Sequence, residues 1–231
     1  MRYIDKSNRC IVFDDFVKTY QGRLRNDWEK FKKIKGGSTI RLILHQFMWR
    51  TQKGLCCYCE QEVPYKISAD DSAKSHFEHI RPKALKAFKH LTYQFENIVI
   101  SCEGFDLALD SENKKEFCGH IKDDKNKGNE YDDAFFLNPT EILDVEGYFR
   151  YDSEGNIEPN PIKTDNEQNR ATYMIRILGL DHPDLIGMRQ KQYSFWEERK
   201  REIPYEQFVA DLDENLPFLP SFFSFLKQRF L

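Results

Sequence analysis

The sequence predicts an α+β fold that is mainly α-helical, with a small irregular centre between two helical flanks. Three observations predict it. Apolar residues recur every three or four positions before residue 50 and again after 165. Residues 55–125 lose that period and gather Cys, His, Lys and Asp around short strand-like pieces. An apolar–turn–apolar pattern over 148–157 marks a hairpin. The expected divisions are a helical region at 1–54, a compact centre at 55–125, and a hairpin with helices at 126–231, the three packed as one unit.

In the first region, Phe16, Tyr20, Leu24, Trp28 and Phe31 draw one stripe along a helix that Gly36-Gly37 ends. Ser38 is placed to cap a second helix carrying Ile40, Ile43, Leu44, Phe47 and Met48, which stops near Lys53-Gly54. Within the centre, Asn97-Ile98-Val99-Ile100 reads as a strand and the charged run 110–127 as an insertion loop. Tyr148-Phe149-Arg150-Tyr151 and Ile157 flank the turn of the hairpin. Thr164 and Glu167 have the spacing of a capping box, followed by a buried face of Ala171, Met174, Ile175 and Leu178 that Gly179 terminates. Leu185, Met188, Gln192 and Phe195 continue in a charged helix toward Pro204. In the tail, Phe222, Phe225, Leu226 and Phe230 share one helical face, which suits packing on the protein's own core or docking into a partner's groove.

Composition narrows the function classes. The 231 residues are 40% hydrophobic and 14% aromatic, which excludes wholesale disorder. No apolar run reaches the roughly 18 residues that cross a bilayer, and Met1-Arg2-Tyr3-Ile4-Asp5-Lys6 lacks the apolar stretch of a signal peptide. The expected compartment is the cytoplasm, where clustered cysteines hold metal more often than they pair. With 35 Lys and Arg against 38 Asp and Glu, the net charge of −3 gives no general attraction for nucleic acid, so any such contact rests on local patches.

Cys56-x-x-Cys59 has the spacing at which one tight turn presents two thiolates to a tetrahedral metal. Cys102 and Cys118 supply two more, although they lie sixteen positions apart and require the intervening loop to bulge outward. The set suits a structural Zn²⁺ whose binding is part of folding. Two alternatives stand beside it: ordinary buried thiols, or a redox CxxC, for which the surrounding βαβ pattern is missing. Cys57 replaces Cys56 only with poorer geometry, and Cys10 belongs to an apolar stretch of core.

Between the cysteine pairs lies His76-Phe77-Glu78-His79-Ile80-Arg81-Pro82-Lys83, then Asn97 opening the strand that ends at Cys102, then Cys118-Gly119-His120-Ile121-Lys122. This succession resembles the HNH endonucleases, and within them the nucleases of retron and Septu anti-phage systems, the PtuB-like family. Specific matching covers about residues 55–125, with Leu178-Gly179-Leu180, Leu185 and Arg189 as a weaker extension. The resemblance implies a ββα-metal core braced by the four-cysteine zinc, hydrolysing phosphodiester bonds. His79 is then the general base, since imidazole titrates near neutrality. Glu78 is implied as ligand to a catalytic divalent ion, Mg²⁺ or Mn²⁺, and Asn97 as the residue that orients the His79 loop. The last HNH position falls to His120, with Asp106 as runner-up because a carboxylate there also suits magnesium. His76 is either a further ligand or polar surface.

Arg81, Lys83, Lys86 and Lys89 follow the proposed base and are expected to contact the phosphates of DNA or RNA, tRNA included, without reading sequence. The chain has no G-x-x-x-x-G-K-[ST] stretch. The resemblance implies an ATPase subunit of the PtuA kind as partner, and in retron systems a reverse transcriptase with its RNA–DNA hybrid. A zinc-braced module that binds nucleic acid or protein without cutting is the alternative.

Overall fold

In the computed structural model, which describes residues 1–69, 75–105, 116–124 and 130–231, the stripe begun by Phe16 is split in two. Helix α1 spans Ile11–Leu24, the chain turns through Arg25 and Asn26 with φ of 47° and 54°, and a 3₁₀ turn occupies Trp28–Lys33. Asp27 caps that turn by accepting from the Glu29 N–H at 3.1 Å. The single helix expected here is therefore broken. Periodicity records which residues face the core, and Phe16, Leu24, Trp28 and Phe31 are all buried, but it does not require the backbone between them to stay helical. Helix α2 (Gly37–Thr51) starts from Gly36 rather than Ser38, because Gly36 holds a φ of 83° that a side chain resists.

Strands β1 (Ser75–His79) and β2 (Ile98–Cys102) pair antiparallel, with His79 opposite Ile98 and Ser75 opposite Cys102. Every residue of β2 is buried, as its apolar run requires. After β2, the described chain resumes at Glu116 and forms a 3₁₀ turn at Cys118–His120. Among the described residues no α-helix lies between β2 and the Phe149–Tyr151 strand, and much of the stretch where the third element of the expected ββα unit falls, 106–115 and 125–129, lies outside the described residues. Most of the charged run 110–127 lies outside the described residues, as does Asp106.

Strands β3 (Phe149–Tyr151) and β4 (Ile157–Pro159) form the second antiparallel pair. Helix α3 (Asp165–Leu178) opens with both halves of the capping box and closes at Gly179, whose φ is 56°. Helix α4 (Pro183–Glu202) buries Leu185 and Met188 as expected, but then Trp196 in place of Phe195, which is 56% exposed. Buried Arg189 ties the hairpin to the α3–α4 joint, donating to Gly155 O at 2.9 Å and Leu180 O at 2.8 Å.

Helices α5 (Tyr205–Ala210) and α6 (Phe223–Phe230) complete the chain. Phe225 packs on Tyr151, and Phe230 on Tyr193 and Phe208. The start of α6 is seated on buried Glu60, whose carboxylate accepts from the Ser224 N–H at 2.7 Å and hydroxyl at 2.6 Å. The Met1 ammonium pairs with the same carboxylate at 3.0 Å. The apolar face of the tail is thus spent on the protein's own core, which overturns its reading as a helix for a partner's groove. Among the described residues no helix is long and apolar enough to cross a membrane.

Candidate active site and metal centre

The loop after α2 brings Cys56 and Cys59 against the end of β2, and the turn at Cys118 closes the group. The Sγ atoms of Cys56, Cys59, Cys102 and Cys118 are buried and lie within 4.8 Å of one another. Cys56–Cys118 and Cys59–Cys102 are 3.9 Å and 3.7 Å apart. A tetrahedral zinc with bonds of about 2.3 Å spaces its sulfurs by about 3.8 Å, so the donor set fits this ion. Backbone N–H groups point at two of the sulfurs: Cys102 donates to Cys56 Sγ at 3.3 Å, and Gln61 to Cys59 Sγ at 3.4 Å. Such donors favour thiolate over thiol. Cys57 is buried outside the group, its N–H donating to Ile100 O at 3.1 Å, and Cys10 lies in the core.

Beside this centre opens a cleft of about 780 Å³, lined by His76 through His79, Lys83, Lys89, Gly119, His120 and Lys122, with residues 25–30 as the opposite wall. Alternation along β1 puts Phe77 and His79 on the side of Trp28, whose ring meets the His79 imidazole edge-on at 4.9 Å. His79 Nε2 lies 2.9 Å from Thr92 O. A carbonyl only accepts, so Nε2 carries the proton and Nδ1 holds the lone pair. That Nδ1 is buried and has no hydrogen-bond partner. Burial, then the nearby Lys83, pushes the His79 pKa down to about 3, against the opposing effect of the Thr92 hydrogen bond. The imidazole is therefore neutral throughout the physiological range.

Asn97 fixes the backbone after His79: its Oδ1 accepts from the Arg81 N–H at 2.8 Å, and its Nδ2 donates to Arg81 O at 3.1 Å. Glu78, one residue before His79, turns the other way. Its Oε1 accepts from the Tyr58 hydroxyl at 3.2 Å and forms an ion pair with buried Lys122, which also donates to His79 O at 2.5 Å and Ile80 O at 2.7 Å. Glu78 Oε2 faces Gly119, where an added Cβ would lie 2.8 Å from it and 2.9 Å from His76 Nε2. Glycine is the residue that lets the turn come this close.

On that side a second group assembles. His120 Nε2 donates to Glu103 Oε2 at 3.0 Å, and His76 Nδ1 stands 3.6 Å from Glu103 Oε1. The two imidazole rings lie 4.0 Å apart between centroids. His120, and then His76, hold the Glu103 carboxyl well below the usual carboxylate range. Of the expected ligands, His120 joins this group, while Glu78 touches it through His76 Nε2 at 3.8 Å. Glu103 carried no motif signal beyond its place next to Cys102.

The expected phosphate contacts separate. Lys83 and Lys89 line the cleft. Arg81 is committed to Asp133 at 2.8 Å and Glu141 at 2.7 Å, and Lys86 begins the 3₁₀ turn at Lys86–Leu91 without lining the cleft. Arg25 and Lys30 join from the opposite wall, and Lys83 is shared with an adjoining cleft that Lys32, Arg41 and Lys66 border.

No family model matches the sequence. The chain is 28% identical over 191 residues to a protein of Vibrio cholerae serotype O1 biovar El Tor named "Retron Vc95 putative HNH endonuclease", an overlap of 82% of this chain and 75% of that protein. An overlap of that length reaches beyond residues 55–125 into the helical flanks. The similarity supports a nuclease of the HNH type.

Proposed function

We propose that this chain is a metal-dependent HNH endonuclease that hydrolyses nucleic-acid phosphodiester bonds, with His79 as its general base. The observation that carries the reading is the state of that imidazole: Nε2 is tied to Thr92 O, and Nδ1 is left unpartnered at the cleft. The Nδ1 lone pair is the one that would take the proton from water; burial and the cationic residues around the ring keep it neutral but lower its pKa below the near-neutral value expected from the sequence. Asn97 is the positioning residue, since it clamps the backbone that carries His79. Lys83 and Lys89, with Arg25 and Lys30 opposite, hold the phosphate backbone, and their reach is independent of base sequence. Glu78 and His120 would hold a divalent ion, Mg²⁺ or Mn²⁺, which would supply charge neutralisation at phosphorus and at the leaving 3′ oxygen. Asp106 remains the alternative to His120 in that role.

The biological role that goes with this chemistry is the effector nuclease of an anti-phage system of the retron or Septu type, governed by an ATPase subunit. The retron name of the Vibrio relative and the PtuB-like motif succession support it. A reverse transcriptase with its RNA–DNA hybrid is the further partner in a retron. One observation favours the non-cutting alternative: the Lys122 ammonium already neutralises Glu78. Plasmid and total-RNA cleavage with magnesium or manganese, wild type beside His79→Ala, separates the two. Loss of the base should slow cutting by about 10²–10⁴-fold; equal cutting by the variant would remove the assignment.

A further inference from the structure

We infer that His76, Glu103 and His120 form a three-ligand site for a divalent transition-metal ion of the manganese-to-zinc series. The inference rests on the nuclease reading for its purpose but not for its geometry. One ligand atom from each residue lies within 4.8 Å of the others. Each comes from a separately anchored segment: His76 from β1, Glu103 from the residue after zinc-set Cys102, and His120 from the turn that begins at Cys118.

His120 makes a direct 3.0 Å contact with Glu103, whereas His76 stands at ion-pair distance only, without a hydrogen bond to either neighbouring carboxylate. His76 Nδ1 is a buried atom without a hydrogen-bond partner, aimed at a carboxylate oxygen 3.6 Å away. That gap is too long for a hydrogen bond and suits two ligands that share an ion. The other nitrogen, Nε2, faces Glu78 Oε2 at 3.8 Å. A carboxylate behind a metal-bound imidazole is a recurring way of fixing its tautomer and raising its basicity. Glu78 thereby becomes a positioning residue, held in turn by Lys122 and Tyr58.

The donor types set the preference. Magnesium takes oxygen ligands and gives up water reluctantly. Two imidazoles and one carboxylate suit the later divalent ions, and leave open positions for water or a phosphate oxygen.

The test is Mn²⁺ titration of the full chain loaded with one equivalent of zinc for its four cysteines, followed by electron paramagnetic resonance. One Mn²⁺ should bind, with pulsed spectra showing couplings from two imidazole nitrogens, and equimolar Mg²⁺ should not displace it. Glu103→Gln and His76→Gln should each weaken binding by about 100-fold, and Glu78→Gln by about tenfold, as expected for a supporting partner. Zinc content and circular dichroism confirm that each variant is folded. The nitrogen couplings need no variant at all, and their absence overturns the site. So does wild-type Mn²⁺ affinity in folded Glu103→Gln, whether or not the chain cuts nucleic acid. Mn²⁺ bound as described, with no cutting of plasmid or total RNA by either the chain or its complex with the ATPase subunit, overturns the nuclease reading and leaves the site standing.

Discussion

Lys122 is 1% exposed, and its ammonium serves Glu78 and two main-chain carbonyls at once. Removing one partner of a buried ion pair costs more than removing both, because the survivor is left charged without water. Lys122→Met should therefore lower stability by about 3 kcal/mol in urea denaturation, and adding Glu78→Gln should restore much of it. A second cation, half-buried, makes a pH prediction. Lys6 Nζ donates to Ile98 O at 2.6 Å and lies 4.5 Å from the Phe95 ring centroid. Burial pulls its pKa from 10.5 to about 7, partly offset by Cys57 and Glu96. Between those values the unfolded chain keeps a proton that the folded chain has released, so this group makes stability rise with pH. The slope of the urea midpoint between about pH 7 and 9 should flatten in Lys6→Met. At this scale the sequence was readable where a motif existed, as at Cys56, Cys59 and His79. Glu103 was not, since it meets His76 only through the pairing of Ser75 with Cys102 and the turn at His120.

Among the elements, the cysteine loop is where stability and site meet. Zinc bound by Cys56, Cys59, Cys102 and Cys118 should appear at one per chain in elemental analysis. Cys102→Ser should lose it together with folding yield, because the irregular loop has little else to fix it. Helix α6 gives a contrasting case. Phe225 is 1% exposed, and Phe225→Ala should cost about 3–5 kcal/mol in thermal or urea unfolding, as core aromatic truncations do. A tail reserved for a partner would instead leave the isolated chain unaffected. Helices α3 and α4 were legible because capping box, stop glycine and apolar spacing agreed. The break at Arg25-Asn26 was not, since two left-handed residues can interrupt a helix without disturbing which side chains face inward. Trp196 displaced Phe195 for a similar reason: over a helix as long as α4, the buried face is set by its neighbours, here Phe208.

For the whole molecule, the question is restraint. A nuclease that contacts phosphates without reading bases calls for control from outside its own cleft, and the sequence has no G-x-x-x-x-G-K-[ST] stretch. Co-expression with the neighbouring genes should retain an ATPase through purification, and the complex should cut at a rate that responds to nucleotide. A lone chain that cuts at full rate and retains nothing would refute this. With α6 consumed by the core, an ATPase partner would be met on another face. The molecule also carries a schedule for its own arming. Cys102 is followed directly by Glu103, and Cys118 is separated from His120 by Gly119 alone, so the residues that brace and the residues that face the cleft travel on the same two stretches of backbone. An ion held by the four thiolates would therefore also fix Glu103 and His120 beside His76. On the proposed reading, a chain made without zinc should fail to bind Mn²⁺ at His76, Glu103 and His120 and should not cut, which zinc depletion and reconstitution of the purified protein would check.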